Sequence, residues 1–154
     1  MKSDAIKTII AELRVHHSRQ SSLCKELEAL ADGLPSSIDN QHCLTIARQI
    51  FPKVRKAHEF EEQTLFPMLD ALHGRDVELR NSLERLRFEH WEDESFAEDL
   101  SISLRQYGSS NETSVGDKLA YMLRGFFDGL RRHMAFEAEH LVPMLEAEIN
   151  GPAH

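Results

Sequence analysis

The chain has 154 residues, the size of one domain and long enough to bury a substantial core. Its formal net charge of -8 argues against a phosphate-backbone partner, which calls for a basic stripe, so nucleic acid is not an expected partner. No apolar run reaches membrane-spanning length and the opening Met1-Lys-Ser-Asp-Ala-Ile carries no signal-peptide core, so the expectation is a cytoplasmic protein without a membrane partner.

Apolar residues recur at three- and four-residue steps in four stretches, the pattern of helices with one buried face. The first is expected over 4–31, through Ile6, Ile9, Ile10, Leu13, Leu23, Leu27 and Leu30, and ends at Asp32-Gly33-Leu34-Pro35. The second, over 38–72, has Ser37 or Asp39 as its cap. It carries Leu44, Ala47, Phe51, Val54, His58, Glu62, Leu65 and Leu69 on one face, with a kink expected at Pro52. The third, over 76–107, aligns Leu79, Leu83, Leu86, His90, Glu94, Ala97, Leu100 and Leu104, and Tyr107 to Asn111 form the longest predicted loop. The fourth, over 114–149, aligns Leu119, Met122, Phe126, Leu130, His133, Glu137, Leu141 and Met144 before Asn150-Gly151-Pro152. Four long helices with short connections predict an all-α, antiparallel up-and-down four-helix bundle, a single domain over 1–154. Cys24 and Cys43 form no metal or redox spacing and read as small buried groups in a reducing compartment.

One segment occurs twice: His58-Glu-Phe-Glu-Glu62-Gln-Thr-Leu-Phe-Pro67-Met-Leu, and His133-Met-Ala-Phe-Glu137-Ala-Glu-His-Leu-Val-Pro143-Met-Leu. Each copy puts a His and a Glu four positions apart, hence on one helix face. His90 and Glu94 make a third such pair. The halves of the chain are alike as well, since His17 or His16 precedes His58 by 41 or 42 positions and His90 precedes His133 by 43. Four helices would thus bring their polar residues to one level of the bundle.

Imidazoles and carboxylates inside a bundle are costly unless paired. At least four His and three Glu on inward positions exceed what mutual hydrogen bonding would satisfy, and a bound cation resolves the conflict. Mixed N and O donors suit iron, zinc or manganese, and the lack of thiolates excludes an iron–sulfur cluster. Six or seven donors exceed one tetrahedral zinc, whereas two metals about 3.5–4 Å apart with bridging carboxylates fit the count.

These residues, from the helix 1 His through His58-x-x-x-Glu62, Pro67, His90, His133-x-x-x-Glu137 and Pro143, resemble the hemerythrin-like (HHE cation-binding) domains over essentially the whole chain. The resemblance implies a four-helix bundle holding a non-haem di-iron centre, two Fe ions bridged by carboxylates and an oxo or hydroxo group, with Zn or Mn as substitutes. It implies His17 or His16, His58, Glu62, His90, His133 and Glu137 as metal ligands, and Glu59 matches an additional carboxylate of the iron-sensing branch. The chain departs from the respiratory oxygen carriers, which use a second His where Glu94 stands and an Asp five residues after the last His. Carboxylate donors favour the ferric state and so disfavour reversible oxygen carriage. Only Glu137-Ala-Glu-His140 offers the Glu-x-x-His motif that a ferritin-like centre needs twice.

His17, followed by Gln20 and Cys24, fits the family's helix 1 pattern better than His16. Glu94 reads as a ligand, a partner holding His90, or a solvated residue beside Glu92 and Asp93. Glu59 reads as close to the site or as part of an acidic face with Glu61, and His140 as a group one turn beyond Glu137. His42, His73 and His154 read as solvated, Trp91 and Phe136 as packing residues. The expected function is binding or sensing of a small ligand (O2, NO or peroxide) or of iron itself, with no dedicated catalytic residue. The alternatives are a di-iron enzyme removing peroxide or nitric oxide and a metal-free or zinc-holding structural bundle.

Overall fold

The computed structural model describes residues 2–34, 39–110 and 113–150. It contains α1 (Lys2–Gly33), α2 (Asn40–Phe60), a π-helical turn (Glu61–Leu65), α3 (Phe66–His73), α4 (Val77–Ser110), α5 (Thr113–Phe136), a second π turn (Glu137–Leu141) and α6 (Val142–Asn150). Because each π turn joins its flanking helices end to end, these segments form four long rods, the expected all-α four-helix bundle. α1 lies along α5 and α6, α2 along α4, and α4 against α5. Among the described residues no helix is long and apolar enough to cross a membrane.

Local chemistry sets the helix starts. Asp39 caps α2, its carboxylate accepting the Gln41 N–H at 3.0 Å, while Asp76 accepts from Glu78 and Leu79 at 3.0 and 3.2 Å ahead of α4. The alternative cap Ser37, the break residue Pro35, Asn111, Gly151, Pro152 and His154 lie outside the described residues. Pro52 sits inside α2, which runs through it. The expected loop at Tyr107 to Ser110 is instead the last turn of α4. Gly108 is there for space: a Cβ would stand 3.2 Å from the Leu44 side chain and 3.3 Å from the Asn40 carbonyl, where α2 starts against α4.

Each π turn lies just ahead of a proline, Pro67 and Pro143. A proline six positions after a helical residue has no N–H for the α ladder, and its ring crowds the carbonyl four residues back. There the ladder widens by one residue: Phe66 N–H bonds Glu61 O, and Val142 N–H bonds Glu137 O.

The core divides in two. One cluster gathers Leu23, Leu27, Ile46, Ile50, Leu100, Leu123 and their neighbours. The other gathers Ile6, Leu13, Leu65, Phe66, Leu83, Leu145 and theirs. Cys24 and Cys43 are buried free thiols in the first cluster, burial lifting each to about 11. Between the two apolar plugs lies a polar level.

Candidate metal centre

His58 from α2, His90 from α4, His133 from α5 and the two carboxylates that open the π turns, Glu61 and Glu137, are all buried at this level. Glu61 lies at its centre. Its Oε1 is 3.1 Å from His133 Nε2, and its Oε2 is 3.2 Å from His90 Nε2. Glu137 Oε1 lies 3.5 Å from His133 Nε2 and 3.0 Å from His17 Nε2, which brings in α1. The rings of His58 and His90 stack with centroids 3.8 Å apart. Two sets of donor atoms converge closely enough to hold a metal ion: His58, Glu61 and His90, and Glu61, His133 and Glu137. Glu61 belongs to both.

The outward nitrogens of the same imidazoles meet carboxylates on neighbouring rods. His58 Nδ1 is 2.9 Å from Glu94, and Glu94 also accepts from Arg55 Nη1 at 2.8 Å. His90 Nδ1 is 3.0 Å from Glu62. His133 Nδ1 approaches Glu89 only to 3.7 Å, at a cavity of about 260 Å³ between α4 and α5 walled by Glu89, Asp93, Gly129 and Phe136.

Electrostatically the cluster is strained by its own charges. Burial favours neutral carboxyls, but close contacts with Glu137, His133 and His90 hold Glu61 well below the carboxylate range. Burial and the Glu61 charge push Glu137 up. Burial depresses His133, yet the bonds to Glu137 and Glu61 outweigh it and raise it to about 11. His58, dominated by burial and by its neighbour His90, falls to about 4. Even so, Glu61 Oε2, Glu137 Oε2, His90 Nε2 and His133 Nδ1 are buried without a hydrogen-bond partner. The Glu61 and His90 atoms sit near each other but unaligned. Lone pairs aimed at common points without mutual bonds suit a cation and waste hydrogen bonds otherwise.

The placement differs from the sequence expectation in several ways. His17, His58, His90, His133 and Glu137 come together as expected, and His16 does not join them, stacking instead on Phe60 at 4.9 Å. Glu62 was expected on the inward face. It is half-exposed behind His90, and Glu61, read as part of a solvated acidic face, takes the central position. The physical reason is the helical step: His58 to Glu61 is a three-residue step that stays on the buried face with Val54 and Ala57, and the π turn begins at Glu61 itself. A sequence signal was available, because Glu61 precedes Pro67 by the same six positions by which Glu137 precedes Pro143. Glu94 contacts His58, not His90, and Glu59 stands outside on Arg55 at 3.1 Å. Trp91 is exposed beside Phe88, and His140 is exposed against Phe136.

A four-rod bundle with two His/Glu donor sets sharing one carboxylate defines a cation-binding helical protein. The hemerythrin HHE cation-binding domain model matches residues 8–145, and the chain belongs to that family. No curated protein and no solved structure matches it.

Proposed function

We propose that this protein holds a non-haem di-iron centre and uses it to bind or sense O2, NO, peroxide or iron itself. The observation that carries the reading is Glu61, whose two oxygens face two separate sets of donors. In this reading His58, His90 and Glu61 hold one ion, while Glu61, His133 and Glu137 hold the other with His17 beside it. Glu62 and Glu94 orient His90 and His58 from behind by engaging Nδ1, which directs Nε2 inward.

Bound iron would supply one-electron chemistry and open positions for a small ligand. The chain's own residues supply the rest. Glu61 and Glu137 would turn their carboxylate oxygens to the metal, and the apolar clusters above and below keep bulk water from the level. The carboxylate-rich donor set favours the ferric state, which fits sensing better than reversible carriage. A cytoplasmic location belongs to the same reading.

Anaerobic loading with ferrous iron followed by elemental analysis tests it. Two irons per chain are expected, together with near-ultraviolet charge-transfer absorption after oxidation. One metal or none would refute the dinuclear reading. Steady-state consumption of peroxide or nitric oxide by loaded protein would move the assignment to an enzyme.

A further inference from the structure

On the side of the bundle where α1 meets α2, a groove of about 430 Å³ is walled by cationic residues, with Arg19 on α1 and Lys53 and Lys56 on α2. No carboxylate lines it, in a chain whose net charge is -8. Elsewhere on the surface Arg55, Arg124 and Arg131 each reach an acidic partner. None of the three groove cations forms such a pair among the described residues, and Lys53 has only the Gln49 amide oxygen, at 3.2 Å. Three like charges facing one concave surface repel one another and are relieved by an anion.

A second observation points to a ligand. Gln20 lines the same groove, is only 4% exposed, and its amide has no hydrogen-bond partner among the described residues. Its amide atoms stay open to the groove, where the NH2 can donate to an anion that enters. The Ser22 hydroxyl and the His16 ring, stacked on Phe60, add further polar groups at the wall.

We propose that the α1–α2 groove is a binding site for a small multivalent oxyanion of the phosphate class, either free or as the terminal group of a phosphorylated metabolite. Arg19, Lys53 and Lys56 provide the charge, and the Gln20 NH2 donates from the floor. The site is separate from the His/Glu cluster and stands whether or not that cluster holds iron.

Isothermal titration of the purified protein with inorganic phosphate and, in parallel, with adenosine monophosphate, in dilute chloride buffer, tests the proposal. One saturable site per chain is expected, weakening as salt is added. The exposed pair Lys53→Ala/Lys56→Ala should weaken binding by about tenfold or more, since charge-assisted hydrogen bonds are lost. Gln20→Glu, similar in size but repulsive, should weaken it as well, with circular dichroism melting checking that each variant folds. His133→Ala should leave it intact. Tighter binding of the nucleotide than of phosphate would assign a phosphorylated metabolite, and equal binding the free anion. Absence of saturable binding at millimolar phosphate, or loss in His133→Ala with the lysine variant unaffected, would overturn the site; the second result would put phosphate at the buried cluster.

Discussion

Glu61 Oε1 lies 3.1 Å from His133 Nε2, although 72 positions separate the two residues. The contact ties the first copy of the duplicated segment to the second. Glu61's other oxygen turns toward His90, so this one carboxylate couples α4 and α5 through the end of α2. Its neighbour Glu62 reaches only the outer nitrogen of His90.

This geometry ranks two adjacent substitutions. Glu61→Ala removes the atoms shared by both donor sets and should leave protein that retains at most one iron. Glu62→Ala removes an orienting partner and should weaken metal binding by about 10–100-fold at most. Iron content after equilibration with limiting ferrous iron separates the two. The reverse ranking would mean that the four-residue step from His58 governs the site.

Glu94 should behave like Glu62, but more strongly. It is half-buried, bonds His58 at 2.9 Å, and is itself held by Arg55. Glu94→Ala should cost close to the upper end of that 10–100-fold range, and Arg55→Ala, which leaves the His58 contact, should cost less. A metal-competition titration with a chromophoric chelator measures both. On α1, His17→Ala should loosen one ion, since His17 touches Glu137, whereas His16→Ala should leave both.

The bundle was legible because each rod carries an apolar stripe at helical spacing above and below the polar level, and the imidazole level was legible because His58 and His133 occur in copies of one segment. What was hidden was which of two adjacent glutamates turns inward. Three- and four-residue steps from a histidine both land near the buried face, so periodicity alone did not choose Glu61 over Glu62, whereas counting six back from proline picks out both Glu61 and Glu137. Gly108 looked like a loop signal for a similar reason. A glycine chosen to let two helices touch reads the same in sequence as one chosen to end a helix. Trp91 shows the limit in another direction, since a large aromatic next to His90 falls on the opposite side of α4 and is exposed.

Removing metal should expose how much the cluster relies on it. A ligand that binds only the folded state adds about 4 kcal/mol when its free concentration is a thousandfold above its dissociation constant. Chelator-treated protein should therefore melt well below the loaded form, and scanning calorimetry of both forms measures the difference. Equal melting temperatures would favour a structural bundle.

The two forms should also respond differently to pH above neutrality. In metal-free protein His133 is raised from 6.5 to about 11 by its bonds to Glu137 and Glu61, against the effect of burial. That stabilisation is complete below pH 6.5, where the unfolded imidazole is also protonated, and fades as pH climbs toward 11. His90 and Glu137, both raised, contribute with the same sign, as do the buried thiols of Cys24 and Cys43 above pH 9. Metal-free protein should accordingly lose stability between pH 7 and pH 9. Metal uptake, by contrast, displaces the proton on His133 and is favoured as pH rises, so the gap in melting temperature between loaded and metal-free protein should widen over the same interval. Thermal melts of both forms at pH 6, 7, 8 and 9 test this, and a gap that narrows with pH would show that protons and metal do not compete for these residues.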